Sequence, residues 1–190
     1  MMEPEPQLEM AWPDRRRGES PAVLPAPGYS IRTYRAGDEA RSFELMALAG
    51  WPGWDHERLR PWAARLLPDG WFMTVHERSD QIVASAMAFR SETFVGAGEL
   101  GWLAGDSAHA GHGLGRAVSA AVTARFLAEG CWPIHLYTED FRLPALRINL
   151  ALGYEPVLVG PGAVNRWRVV CSSIGWPFTP GEWTGWRNAR

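Results

Sequence analysis

Three alternating glycines in the middle of the chain constrain its fold more than any other feature. They lie in the run AGHGLGR (110–116), which follows an apolar, strand-like segment and begins a long helical pattern. Because glycine lacks a Cβ atom, this backbone can turn tightly and bring several N–H groups close to one anion. The first turn of the helix adds its positive dipole end. We therefore expect an anion site made by the backbone, although an ordinary surface turn also uses glycine in this way.

The spacing of these glycines does not fit two common nucleotide-binding loops. A dinucleotide fingerprint needs G-x-G-x-x-G early in the fold, whereas this run reads G-x-G-x-G in the middle of the chain. A P-loop needs a lysine and then a serine or threonine directly after its last glycine. Arg116 and Ala117 stand there, and the chain contains no lysine. The remaining interpretation is a pyrophosphate held by backbone amides without a metal ion.

The segments around the glycine run alternate between strand-like and helical patterns. Before it, ELGWLAGDSAH (99–109) predicts a strand and a polar turn. After it, 114–130 predicts a helix, PIHLYTED (133–140) a strand, and 141–154 a helix that stops at glycine and leads into another strand. The first of these helices has an apolar face made of Leu114, Ala117, Val118, Ala121 and Val122.

This order of elements resembles the GNAT acyltransferases. Their acetyl-CoA site consists of a strand, an R/Q-x-x-G-x-G/A loop, a helix, a strand and a helix that ends in a Gly-aromatic pair, and all of these parts occur here in order. The resemblance is strong from Glu99 to Pro156 and extends from Tyr29 onward. TEDFRLPALRINLALGYEP (138–156) looks most like bacterial members close to the mycothiol synthase branch. The resemblance implies a three-layer α/β fold with a mixed, mostly antiparallel sheet of six or seven strands, helices on both faces, and a splay between the fourth and fifth strands.

The resemblance also implies which residues hold acetyl-CoA. The glycine run would bind its pyrophosphate, and the backbone of the fourth strand would pair with the pantetheine chain in the splay. In that arrangement a backbone N–H of the strand also polarises the acetyl carbonyl. The residues implied are Leu103, Ala104 and Gly105 on the strand, Gly111, His112, Gly113, Leu114, Gly115 and Arg116 in the loop, and Asn149 on the later helix.

Two residues depart from the family pattern. Ala110 stands where members usually carry arginine or glutamine, which weakens the loop without removing its backbone amides. Asn149 stands where many members carry the tyrosine that protonates the departing thiolate, and an amide cannot supply that proton. The pKa of a free thiol is about 8.5, so a thiolate is already a fair leaving group near neutral pH. Tyr137 is the candidate substitute for the missing acid.

An amine acceptor must lose a proton before it attacks a thioester, so a general base is expected. Glu99 lies where histone-acetylating members of the family carry their base, and period-two alternation places it on the same side of the strand as Leu103. The alternative for Glu99 is a solvated carboxylate at a strand end.

The competing carboxylate is Asp140, which lies beside Glu139 at the end of the fifth strand. This pair either serves as the base, binds a cationic acceptor or caps the next helix. No nucleophile stands beside a base in these motifs, so the resemblance implies direct transfer in a ternary complex.

The front half of the expected domain fits the same fold. YSIRTYRAGDEARSFELMALAG (29–50) predicts a strand followed by a helix. GWFMTVHER (70–78) and QIVASAMAFR (81–90) predict two strands joined as a hairpin.

Residues 51–54 predict an aromatic turn, and DHERLRPWAARLL (55–67) predicts a second helix, in which Pro61 makes a kink or a break. Members of the resembling family vary this region on the acceptor side of the cleft, so its aromatic residues are candidates for contact with the acceptor. Trp54 and Trp62 either line an apolar pocket for the acceptor or pack the helix onto the sheet.

Three parts are expected along the chain. Residues 1–27 show no periodicity, which predicts a flexible arm, with a strap that orders on a partner subunit as the alternative. Residues 28–175 form the expected GNAT domain. In its last segment (163–175) the spacing of apolar residues favours a helix, although the β-branched content also suits a strand. Residues 176–190 form a tryptophan-rich tail that covers an apolar edge, closes the acceptor site or joins two subunits in a homodimer.

Composition limits the partners and the compartment. A formal net charge of −2 in 190 residues argues against nucleic acid or an anionic membrane as the main partner. The sequence has two cysteines, Cys131 and Cys171, and shows no signal peptide and no long apolar span. These features predict a reducing, cytoplasmic compartment.

The expected function is therefore an N-acetyltransferase that uses acetyl-CoA, a small-molecule amine as acceptor, and no metal ion. No residue pattern identifies the acceptor. The alternative is a module that binds acyl-CoA as a sensor or assembly part without turning it over, because Ala110 and Asn149 are both losses from an active pattern.

Overall fold

The computed structural model describes residues 6–160 and 162–183. The last part of the predicted tryptophan-rich tail, 184–190, lies outside the described residues. The chain divides into a central unit, Ser20–Ile134, and a terminal unit made of Met1–Glu19 and His135–Arg190. The strands are β1 (Leu8–Ala11), β2 (Tyr29–Thr33), β3 (Leu66–His76), β4 (Gln81–Arg90), β5 (Gly98–Gly105), β6 (Ile134–Thr138) and β7 (Glu155–Pro156), and the helices are α1 (Glu39–Leu48), α2 (His56–Ala63), α3 (Leu114–Glu129), α4 (Leu143–Leu152) and α5 (Ala163–Ile174).

The central unit contains an antiparallel sheet with the strand order β2-β3-β4-β5. The predicted hairpin is confirmed, because His76 at the end of β3 pairs with Gln81 at the start of β4. Helices α1 and α2 cover one face, where Leu45 belongs to a buried apolar cluster. Helix α3 covers the other face, where Phe126 lies so close to Gly98 that a Cβ at that position would collide with its ring.

Helix α3 follows the glycine run as predicted. The residues of its expected apolar face are all buried, namely Leu114, Ala117, Val118, Ala121 and Val122. The helix ends at Gly130, whose φ of 76° gives the left-handed C-terminal cap that glycine adopts without steric cost. The predicted second helix is shorter than expected, since α2 ends at Ala63 and β3 begins at Leu66.

The terminal unit contains three strands in the order β6-β1-β7, with β1 antiparallel to both neighbours. Met10 of β1 pairs with Leu136 on one side and with Pro156 on the other. Helix α4 ends at Gly153, where the sequence predicted a stop. The last segment is a helix, α5, with Trp167 buried on its inner face.

The expectation of a flexible arm is wrong for residues 8–16. Residues 8–11 form β1, and all of them are buried. Asp14–Arg16 form a short 3-10 turn. Because all four residues of β1 are buried, the strand lacks the alternation of polar and apolar residues that marks a half-exposed strand.

The residues after β1 close the end of α4. The Arg16 guanidinium donates a hydrogen bond to the carbonyl of Leu152 (3.1 Å), the last residue of that helix. A cation at a helix C-terminus is favourable because it opposes the negative end of the helix dipole. The same guanidinium lies 4.1 Å from the ring centroid of Trp12, which packs edge-to-face on Tyr154 (5.3 Å). The N-terminal segment therefore holds the Gly-aromatic pair in place.

The predicted α/β fold with a mixed, mostly antiparallel sheet of six or seven strands is confirmed, and the described residues contain seven. The splay between β5 and β6 stays a prediction. No helix in the described ranges is long and apolar enough to cross a membrane. Cys131 and Cys171 are both free thiols.

We expect Met10→Ala to lower the free energy of unfolding by about 2–5 kcal/mol, because its side chain is fully buried in β1 and the truncation leaves a cavity. Leu24→Ala is the matched control, since Leu24 is 76% exposed, and its effect should stay within about 0.5 kcal/mol. Chemical denaturation measures both. Equal, small effects would mean that residues 8–11 behave as a flexible arm after all.

Candidate functional site

The glycine run has the backbone geometry of an anion cradle. Gly111 (φ 84°) and Gly113 (φ 70°) are both in the left-handed region, which L side chains rarely adopt. Helix α3 begins directly afterwards, at Leu114, and no side chain caps its N-terminus. The first N–H groups of a helix have no partner within the helix. The loop therefore leaves donors and the positive end of the helix dipole available to an anion.

The start of this loop is tied to the sheet and to α1. The Asp106 carboxylate accepts hydrogen bonds from the Ala108 N–H (2.9 Å) and from the Arg41 guanidinium (2.6 Å). These two bonds, in that order, lower the pKa of Asp106, so the carboxylate stays ionised. Arg41 also donates to the Ile82 carbonyl of β4 (2.9 Å). One arginine thus fixes the end of β5 against two neighbouring elements.

Histidines lie on the other side of the loop. The Tyr29 hydroxyl and His109 Nδ1 are 2.9 Å apart, and the Tyr29 ring also packs on His76 and His112. His112 Nδ1 lies 3.2 and 3.1 Å from the carbonyls of His109 and Ala110, so this nitrogen carries the proton and donates to them. His112 and Arg116 are exposed. Both side chains are therefore accessible at the edge of the cradle.

The three strand residues predicted to hold the coenzyme lie just before this loop. Ala104 pairs with Ser85 and Gly105 pairs with Ala84, so one edge of the β5 backbone is bound to β4. Ala104 is buried, Leu103 is half-buried and Gly105 is exposed. The structure therefore places Leu103, Ala104, Gly105 and the cradle on one continuous stretch of the central unit.

A β-bulge interrupts β5 at Trp102. Gly101 pairs with Met87 and Ala104 with Ser85, so three steps along β5 match two along β4. Trp102 has φ 52°, a value that is costly for a bulky side chain. The predicted unbroken alternation from Glu99 to Leu103 is therefore wrong, because an inserted residue changes the side on which later residues lie.

Glu99 forms an ion pair that the sequence did not reveal. The Arg65 guanidinium donates to its Oε2 at 2.6 Å, and the two side chains are only 14% and 15% exposed. Arg65 also donates to the Arg90 carbonyl (3.1 Å) and lies 3.2 Å from the exposed carboxylate of Glu92. Burial raises the pKa of Glu99, while the charge of Arg65 and its hydrogen bond oppose the rise. A carboxyl with a raised pKa is well suited to accept a proton near neutral pH.

Four indole rings form a tryptophan cluster (Trp51, Trp54, Trp62 and Trp102) on the face covered by α1 and α2. Trp102 lies at its centre, with ring centroids 5.0 Å from Trp51, 4.5 Å from Trp54 and 4.8 Å from Trp62, all edge-to-face. Trp54 is buried and the other three are half-buried. The sequence singled out Trp54 and Trp62 but gave no signal for Trp102, which enters the cluster through the bulge.

The remaining predicted site residues belong to the terminal unit. Asp140 forms two hydrogen bonds with the Arg166 guanidinium of α5, one of them 2.9 Å long. This pairing lowers the pKa of Asp140, which makes it a weak base. Asn149 is buried, and its amide donates to the Ala145 carbonyl (3.0 Å), while its Oδ1 has no partner among the described residues. Tyr137 is half-buried and packs edge-to-face on His135.

We expect Arg65→Met to raise the pKa of Glu99 further, because the substitution removes the charge that opposes the effect of burial. A pH titration of the Glu99 carboxyl carbon by NMR measures this. Arg60→Met, on the exposed side of α2, is the control and should leave the titration unchanged. A lowered or unaltered pKa in the Arg65 variant would contradict the ion pair.

Solved structures of acetyltransferases share this fold. A GCN5-related N-acetyltransferase from Sphaerobacter thermophilus gives a TM-score of 0.64 at 22% identity, over 80% of this chain and 50% of that one. A putative GNAT acetyltransferase from Novosphingobium aromaticivorans gives 0.59 at 21% identity, over 80% and 60%. Diaminobutyrate acetyltransferase from Paenibacillus lautus, solved with L-2,4-diaminobutyric acid and coenzyme A, gives 0.54 at 20% identity, over 65% and 73%.

The chain thus spans about half to three-fifths of the length of the first two of these structures. No curated protein matches the sequence. The model of the Acetyltransferase (GNAT) family matches residues 37–154, which include the central sheet from β3 to β5, the glycine cradle, α3 and α4. Since this match covers more than half of the chain, the protein belongs to the acetyltransferase (GNAT) family.

Proposed function

We propose that this protein is an N-acetyltransferase that moves an acetyl group from acetyl-CoA to a primary amine of a small molecule. The observation that carries the proposal is the cradle, in which Gly111 and Gly113 adopt left-handed backbone before a helix that no side chain caps. Family membership supplies the anion, the pyrophosphate of coenzyme A. The Paenibacillus lautus relative, whose structure contains coenzyme A and a diamine, supports the same pair of substrate classes.

The residues of the central unit fit acetyl-CoA. Apart from neighbouring residues along the chain, no atom of the described residues lies within 4 Å of the positions that Cβ atoms would take at Gly111 and Gly113, so a ligand can approach that backbone closely. His112 and Arg116 are exposed at the same edge and can donate hydrogen bonds to phosphate oxygens. We propose that Leu103, Ala104 and Gly105 pair with the pantetheine chain through their backbone. When bound, acetyl-CoA supplies a thioester carbonyl that a nucleophile can attack and a thiolate that can leave.

Glu99 is the proposed general base. An ammonium group has no lone pair with which to attack, so the acceptor must first lose a proton. Burial gives Glu99 a raised pKa, and Arg65 fixes the direction of its carboxylate through the 2.6 Å hydrogen bond. Asp140 has the opposite environment, because its bidentate pairing with Arg166 stabilises the ionised form and weakens it as a base. The pKa of Glu99 is thus raised and that of Asp140 lowered, which favours Glu99 as the base.

The thiolate of coenzyme A must receive a proton to complete the reaction. In the net reaction a C–N bond forms to the amine, the C–S bond breaks, and the proton lost by the amine is replaced on the thiolate from Tyr137 or from water. Asn149 cannot supply this proton, because an amide does not ionise near neutral pH. Its buried Oδ1, which no described residue satisfies, supports a role as an acceptor for an N–H group of the coenzyme instead.

A second candidate function is a module that binds acyl-CoA without turnover. Two observations favour it: Ala110 contributes no side-chain donor to the cradle, and Asn149 replaces the usual acid. Steady release of coenzyme A with an amine present supports the enzyme. Acetyl-CoA binding without release, across a broad set of amines, supports the module.

The proposal also covers the cellular location of the protein and the type of partner it binds. The free thiols of Cys131 and Cys171 support a reducing, cytoplasmic location. The formal charge of −2 supports a small-molecule partner over nucleic acid or an anionic membrane. Kinship with the mycothiol synthase branch and assembly as a homodimer remain predictions from the sequence.

We expect Glu99→Gln to lower kcat/KM by about 10²- to 10⁴-fold, because glutamine keeps the shape of the side chain but cannot accept the proton. The rate of coenzyme A release measures this. Glu92→Gln is the matched control, since Glu92 also contacts Arg65 but is 74% exposed, and it should retain the wild-type rate. A loss below about threefold for Glu99→Gln, with acetyl-CoA still bound, excludes Glu99 as the base.

A further inference from the structure

We propose that the acceptor amine carries an aromatic or large apolar body, which packs against the tryptophan cluster. The proposal rests on the transferase function above and identifies the class of its second substrate. It is drawn from the position of the cluster, from the cations that already cover part of it, and from its connection to Glu99.

The cluster adjoins the residues proposed to react. Trp102 directly precedes Leu103, the first residue of the strand segment assigned to acetyl-CoA. Trp62 is linked to the proposed base through one side chain, because Arg65 lies 5.3 Å from the Trp62 ring centroid and donates to Glu99 at 2.6 Å. A substrate seated against these rings would therefore have its amine near the carboxylate that must deprotonate it.

The backbone of Trp102 is held in a costly conformation at this point. The left-handed region is strained for a non-glycine residue, and such residues cluster at functional sites. Here the conformation brings the Trp102 ring among the rings of Trp51, Trp54 and Trp62, where it stays half-buried.

The cluster does not act as a cage for cations. Arg58 lies 5.5 Å from the Trp54 ring centroid, and Arg65 lies over Trp62 and over Phe89 (5.5 Å). These guanidinium groups lie over two of the four rings of the cluster, and their charge repels further positive charge. A polyamine or an amino sugar with several ammonium groups is therefore disfavoured. What the half-buried indoles offer is apolar and aromatic contact.

One buried indole nitrogen of the cluster lacks a hydrogen-bond partner among the described residues. Trp54 is 6% exposed, and its indole Nε1 has no hydrogen-bond acceptor among the described residues. Buried indole N–H groups usually find a partner, and leaving one unpaired is costly. A ligand that brings an acceptor atom into the cluster would satisfy it.

The test is a comparison of amines with the wild-type chain and saturating acetyl-CoA. We expect kcat/KM for coenzyme A release to be at least about 10-fold higher with tryptamine or 2-phenylethylamine than with ethanolamine, glucosamine or spermidine, because the burial of one large apolar group favours binding by about that factor or more. Equal or better turnover of the polar amines overturns the proposal and leaves the transferase function intact. Release with none of them, despite bound acetyl-CoA, overturns both.

Variants of Trp62 test whether the preference for aromatic amines arises at the tryptophan cluster. We expect Trp62→Ala to raise KM for the aromatic amines by about 10-fold while KM for acetyl-CoA stays the same. Trp62→Phe keeps an aromatic ring and should recover most of the preference, which also covers the case in which the alanine variant folds poorly. Trp132→Ala, a half-buried tryptophan outside both the cluster and the C-terminal tail, is the control. An aromatic preference that survives in both Trp62 variants would contradict the assigned site.

Discussion

The β-bulge at Trp102 is the constraint on which the proposed site depends. Without it, Glu99 and Trp102 would point to opposite faces of β5, because they are three positions apart and successive side chains alternate between the faces. With it, the Trp102 ring contacts Trp62 on the face where Arg65 holds Glu99. A single inserted residue thus places the tryptophan cluster and the buried Glu99 carboxylate on the same face of β5. The same strand leads into the glycine cradle. The cost is a left-handed backbone at a bulky residue.

The parts that the sequence predicted well are those set by local chemistry. Glycines that need positive φ, a helix with one apolar face, and a stop at Gly153 each follow from neighbouring residues, and each is present. The parts that it missed depend on distant segments. The Arg65–Glu99 pair joins residues 34 positions apart, and the bulge appears only when the register of β4 against β5 is known. The period-two alternation of side chains therefore placed Leu103 on the wrong side of β5 relative to Glu99.

The N-terminal segment illustrates the same limit. Its four strand residues are buried, so they carry no alternation, and their partners come from β6 and β7 near the far end of the chain. Arg16 then closes the end of α4, the helix that carries Asn149. The residues that looked least structured in the sequence thus support one of the helices of the family motif.

The measurement that tests the central claim most directly is the thermal shift produced by acetyl-CoA. A ligand held by the cradle at 100 times its dissociation constant should add about 2.7 kcal/mol to the free energy of unfolding. Gly113→Val should remove most of this shift, because a β-branched residue does not adopt φ 70° without strain. The absence of a shift in the wild-type chain at high concentrations of acetyl-CoA, or an equal shift in both proteins, would contradict the account.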